Sequence, residues 1–97
     1  MTSTPPRFTD DELLHITQTA APLIAVRSWS HLERDSGPHY DRVFVWLVGE
    51  DVCHYRIQRD QTGQTHLMWC TSCDWRLVVS GTLAECLSMF SQRGGSS

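Results

Sequence analysis

Two thiols and an imidazole are the side chains whose types and spacing could do chemistry in this chain. Cys70-Thr71-Ser72-Cys73 is a Cys-x-x-Cys pair; at a hairpin tip that spacing turns both sulfurs to one side, where thiolates can hold a tetrahedral metal. A third ligand follows from strand pairing. Asp60-Gln61-Thr62-Gly63-Gln64 has the composition of a three-residue hairpin loop with Gly63 in the left-handed position. Pairing Asp60 with Gln64 sets Ile57 against Leu67, Tyr55 against Trp69 and Cys53 against Thr71, and places His54 opposite Cys70. Cys70, Cys73 and His54 are therefore the candidate zinc ligands, with a fourth to come only from a loop residue such as His31 or His39. His66 lies four residues from Cys70, about 13 Å at strand rise, and is too far to join them. Zinc is the one cofactor the sequence gives any reason to consider. The reading the residues favour over zinc is a pair of structural thiols beside a surface histidine, with no cofactor. Redox use is less in keeping with the position, since activated dithiols usually lie at a helix N-terminus. Cys53 and Cys86 fall on apolar faces and read as core.

Other catalytic patterns are missing from the sequence. It has five histidines and many serines, but no Gly-x-Ser-x-Gly context and no recognisable triad spacing. The acids at Asp10-Asp11-Glu12 are explained by helix capping and those at Glu50-Asp51 by a turn. No glycine loop is built to cradle phosphate. Nothing argues for an enzyme beyond the general capacity of a small sheet domain to form a cleft.

Aromatic and cationic residues suggest binding instead. Four tryptophans (Trp29, Trp46, Trp69 and Trp75) are many for 97 residues. In the apolar run Arg42 to Val48, Phe44 and Trp46 face opposite to Val43, Val45 and Leu47. If both helices cover one side of the sheet, Phe44 and Trp46 remain on the other, beside His54 and Arg56 of the next strand. Aromatics flanked by arginine have the composition of a binding hot spot. Phe44, Trp46, His54 and Arg56 are thus the candidate partner-binding residues.

The elements that must position these groups are announced by caps and turns. Thr9-Asp10-Asp11-Glu12 and Thr82-Leu83-Ala84-Glu85 are both capping boxes. The first opens a helix whose apolar spacing through Leu13, Ile16 and Ala20 is expected to end near Ala20, because Pro22 disfavours helical geometry at Ala21. Leu23 to Trp29 then suits a strand, and Ser30 to His39 reads as a polar loop turning at Gly37-Pro38. Strands are expected over Arg42–Val48 (centrally placed, being apolar on both faces), over Val52–Gln58 after a Gly49-Glu50 turn, on the far side of the 60–64 hairpin, and over Trp75–Val79 after a Thr71-Ser72 turn. The last helix presents Leu83, Cys86, Leu87 and Phe90 on one face, with Gly94 as its C-cap.

This order predicts a two-layer α+β domain: helix, four or five antiparallel strands, helix. The expected domain spans residues 8–93, with frayed ends at 1–7 and 94–97. Apolar residues are 40% and charged residues 20% of the chain, an ordinary globular balance. The net charge is −3 and all eight basic residues are scattered arginines, which argues against nucleic acid as partner. No run approaches the ~20 apolar residues of a membrane helix, and cytoplasmic residence is the expectation. The function that fits these features is a non-enzymatic protein-binding, inhibitor or accessory module, acting on another protein or on its own kind through an exposed sheet face or edge. The alternatives are a zinc-stabilised adaptor and a small enzyme or ligand-binding domain.

Overall fold

The computed structural model describes residues 7–25, 30–48, 53–70 and 74–95. Helix α1 (Asp10–Ala25) is followed by strands β1 (His31–Ser36), β2 (Asp41–Leu47), β3 (Cys53–Arg59), β4 (Thr65–Cys70) and β5 (Trp75–Gly81), and by helix α2 (Leu83–Gly95). The strands form one antiparallel sheet in chain order, a meander with β3 in the middle. The fold is α+β.

Both helices start where their caps demand. The Thr9 amide donates to Glu12 Oε1 at 2.9 Å while Thr9 Oγ1 accepts from the Glu12 amide at 3.1 Å. Thr82 and Glu85 repeat the exchange at 3.5 and 3.2 Å. Each box meets two amides that the first helical turn leaves without partners.

The helices lie on one side of the sheet. From α1 come Ile16, Ala20 and Leu23, and from α2 Leu83, Cys86, Leu87 and Phe90, all buried. They close over Val43, Val45 and Leu47 of β2, Tyr55 and Ile57 of β3 and Leu67 of β4. Tyr55 meets Phe90 with ring centroids 5.0 Å apart. α1 packs on α2 and β2, and α2 on β4 and β5.

The 60–64 hairpin has the expected form. The Asp60 amide donates to the Gln64 carbonyl at 3.1 Å, and Gly63 sits at φ 86°, a left-handed conformation that glycine adopts without steric cost. Ile57 pairs with Leu67, Tyr55 with Trp69 and His54 with Cys70.

Elsewhere the local expectations are overturned by tertiary structure. α1 does not stop at Ala20 but carries Pro22 within it and ends at Ala25, so residues 23–25 are helix rather than strand. Gln18, whose carbonyl loses a donor at Pro22, is exposed, as is Pro22 itself. Water can serve that carbonyl, while continuing the helix buries Leu23. The supposed loop after Ser30 contains β1. Its residues are mostly polar because an edge strand needs only one paired neighbour and faces solvent along much of its length. β5 continues to Gly81, two residues past Val79, through a bulge: Leu67 pairs with Val79 and Met68 with Leu77, leaving Val78 over.

At the ends, α2 runs through Gly95, beyond the cap expected at Gly94. Arg7, expected to be frayed, donates to the Gly37 carbonyl at 2.8 Å. Residues 26–29, with Trp29, and the expected turns at Gly49-Glu50 and Thr71-Ser72 lie outside the described residues. No helix is long and apolar enough to cross a membrane among the described residues.

The helix-free sheet face as candidate binding site

Strand alternation sorts the sheet into two faces, and register lays the helix-free one out in three rows. One row reads His31, Trp46, His54, Cys70, Trp75 across the five strands. The next reads Glu33, Phe44, Arg56, Met68, Leu77, and the third Asp35, Arg42, Gln58, His66, Ser80. All four residues expected to bind a partner (Phe44, Trp46, His54 and Arg56) occupy neighbouring positions in this grid, each part-buried.

Their rings gather into one cluster. Phe44 and Trp46 stack with centroids 5.0 Å apart and planes 2° from parallel. His54 meets Trp46 edge-on at 4.8 Å. Trp75 is three strand spacings from β2, roughly 14 Å along the sheet. Even so, its ring reaches 5.8 Å from Phe44 and 6.2 Å from Trp46. The aromatic side chains therefore lean toward each other over β3 and β4. This accounts for Cys70, which is only 8% exposed although no helix covers its face. Trp75, noted in the sequence as one of four tryptophans, was not among the expected partner-binding residues, nor was Leu77, 59% exposed beside it. Both belong to the face once β5 is in register with β4.

The polar groups of the face differ in how they are satisfied. Trp46 Nε1 donates to Glu33 Oε2 at 2.8 Å, and Arg42 pairs with Asp35 while its guanidinium lies 4.0 Å over the Tyr40 ring. Arg56 has no carboxylate partner among the described residues. Its guanidinium lies 4.8 Å from the Trp75 centroid and 6.0 Å from Phe44, and its buried Nε, like those of Arg42 and Arg59, finds no acceptor among the described residues. Of the three part-buried arginines, Arg42 and Arg59 each meet a carboxylate; Arg56 meets none among the described residues. Burial, then the nearby charge of Arg42, lowers its pKa. Burial, followed by His31, likewise holds His54 below the ordinary imidazole value, and His54 Nδ1 is buried without a partner among the described residues.

For a metal, the structure brings together only part of the expected set. His54 faces Cys70 directly, but Cys73 lies outside the described residues. Trp46 stands between His31 and His54 in their row, and His39 instead bonds Gln61 beside the 60–64 hairpin, at the opposite end of the sheet. Among the described residues no three His, Cys, Asp or Glu side chains gather to hold a metal ion. Cys86 is buried as expected, and desolvation pushes its thiol up to about 11. The side chain of Cys53 lies outside the described residues.

Register also assembles a chain of bonds where the sequence offered no triad spacing. Ser80 Oγ is 2.6 Å from His66 Nδ1, and His66 Nε2 is 2.7 Å from Asp60 Oδ2. Hydroxyl, imidazole and carboxylate follow one another as in acyl-transfer triads. Here the carboxylate also accepts from the Thr62 amide at 2.9 Å, the Thr62 hydroxyl at 2.5 Å and the Gln64 amide at 3.2 Å. Led by the His66 bond, these hold Asp60 at a pKa of about 2. The network ties the β3–β4 turn to β5. Its His66–Asp60 half was within reach of the hairpin register; its Ser80 half depends on the bulge at Val78.

The fold and face together define an α+β sheet domain with one helix-covered and one aromatic, helix-free side. Comparison with known protein families, with curated proteins and with solved structures finds no match to this chain.

Proposed function

We propose that this chain is a non-enzymatic protein-binding module that docks a partner on the helix-free face of its sheet. The observation that carries the reading is the part-exposed cluster of Phe44, Trp46 and Trp75 around Arg56, bordered by Leu77. Large aromatics and arginine are the residues that dominate interface energetics, and a contiguous apolar patch on a face without its own cover marks an interaction site. An accessory or inhibitory role is in keeping with so small a domain.

Site-specific photo-crosslinking tests the reading. A photoreactive residue replaces Leu77, 59% exposed on this face, or Leu14, 56% exposed on α1, and the cells that make the protein are irradiated. A discrete crosslinked product from position 77 but not from position 14 is expected. Equal labelling from both positions, or none from 77, overturns the proposal.

A second reading has one observation in its favour: His54 faces Cys70 with Nδ1 buried and without a partner among the described residues, in keeping with a zinc-stabilised adaptor using Cys70, Cys73 and His54. Stoichiometric zinc in protein purified without chelator, lost in Cys73→Ser, supports it; metal-free protein of unchanged stability ends it.

A further inference from the structure

Resting on the docking reading, we propose that the segment received by this face is a short acidic and apolar stretch of another protein, with a carboxylate on Arg56 and an adjoining apolar side chain against Met68 and Leu77. Charge is the first argument. Arg34 and Arg59 meet Asp41 and Glu12 on the core side, and Arg42 meets Asp35 on the helix-free side. Arg56, central in its row and flanked by aromatic rings, alone among the part-buried arginines lacks an anion within the described residues. A guanidinium in such surroundings is poorly hydrated and gains from a planar, two-oxygen acceptor.

Size is the second argument. Four strand spacings and three alternate residues span about 19 by 14 Å, well under the roughly 800 Å² each partner contributes to a standard interface. One helix or strand fits this footprint better than a broad globular surface.

Ring orientation is the third argument, and it distinguishes a peptide from nucleic acid. Single-stranded nucleic acid stacks its bases on open aromatic faces. Phe44 and Trp46 instead turn a face to each other, so neither ring offers both faces to a stacked base. Apolar side chains and a carboxylate suit these ring edges and the one part-buried arginine without an anion among the described residues.

The test is selection of random twelve-residue peptides displayed on phage against the immobilised full chain. Enriched peptides are expected to carry Asp or Glu beside an apolar residue. Synthetic copies are expected to lose about tenfold or more in affinity against Arg56→Gln, to recover part of it against Arg56→Lys, and to weaken with salt. Peptides that lose affinity against Leu77→Ser but carry no acid overturn the carboxylate while leaving the docking reading standing. Peptides indifferent to both Arg56→Gln and Leu77→Ser, or no enrichment at all, overturn the docking reading as well. Saturable binding of a twelve-nucleotide oligothymidine that competes with the selected peptides overturns the proposal in favour of nucleic acid. Because peptide composition is read on the unaltered chain, the result stands even if a variant fails to fold.

Discussion

The two ends of the sheet treat their polar groups in opposite ways. At the end where β1 turns into β2, Asp41 is completely buried and fully answered. It accepts from the Phe8 amide at 2.8 Å, from Arg34 at 2.7 and 3.1 Å, and from Ser36 Oγ at 2.7 Å. Those bonds outweigh the burial that would raise its pKa, and the carboxyl stays below its usual range. In the same cross-strand row, Arg59 grips Glu12 at 2.8 and 2.5 Å, so the first helix cap is tied to the sheet. At the end holding Trp46, His54, Cys70 and Trp75, rings pack on rings, and Arg56 beside them meets no carboxylate among the described residues; single guanidinium Nε atoms go unmatched at both ends, on Arg59 as on Arg56. A buried polar group without a partner costs free energy. The first end pairs its charges within the fold, and the second holds a guanidinium that no carboxylate among the described residues answers.

That contrast is broken most directly at Asp41. Asp41→Ala should destabilise by about 2–4 kcal/mol, since it strands the Phe8 amide and the Arg34 guanidinium at once. Urea denaturation measures it, and a loss under about 1 kcal/mol would mean that the cluster is not holding the two parts together. Cys70→Ser should cost about 1–2 kcal/mol, because a hydroxyl replaces a thiol only 8% exposed beneath the aromatic cluster. The same measurement applies, and a cost near zero would show the ring cover to be open.

Thr9→Ala and Thr82→Ala should each lose about 0.5–2 kcal/mol through their caps. Thr9 is expected to be the larger, since its box partner Glu12 is also held by Arg59. Leu77→Ser should leave stability within about 0.5 kcal/mol while weakening association. A clear loss of stability there would place Leu77 in the core rather than on a docking face.

Acid sharpens the comparison further. Asp60 and Asp41 have folded pKa values below their ordinary ones. Their stabilisation is complete above the unfolded carboxylate range and is lost as pH falls through the folded values. Asp60→Asn should therefore flatten the fall in urea midpoint between about pH 4 and 2. His54 is depressed too, so the unfolded chain takes up its proton first, and stability drops as pH falls from about 6.5. His54→Gln should remove that part of the drop; an unchanged profile would mean that the imidazole is well hydrated.

What the sequence revealed, and what it hid, divides along the range of the interactions. The capping boxes and the 60–64 hairpin rest on contacts within four residues, and Gly63 fixes the register from which His54 was placed opposite Cys70. Phe44 and Trp46 were legible as neighbours on the second face by alternation alone. β1 was not, because only Leu32 marks its inner side and its support comes from β2: Arg34 on Asp41, Asp35 with Arg42, Glu33 under Trp46. The passage of α1 through Pro22 depends on a sheet that buries Leu23. Trp75 takes its place by pairing with Cys70 across the β4–β5 connection, and Ser80 takes its own only through the irregular register at Leu67/Met68. Nothing in the local sequence around Val78 signals that irregularity.

The bulge bears on a hazard that every open sheet carries. β5 is an edge strand among the described residues, with one row of backbone amides and carbonyls that no described strand pairs. The extra residue at Val78 interrupts the even spacing that an added strand would have to match, and the exposed Arg76 charges the same edge. β1 is guarded differently, by Glu33, Arg34 and Asp35 in succession. Unwanted fibre growth is thus discouraged along both margins, by geometry on one and by charge on the other.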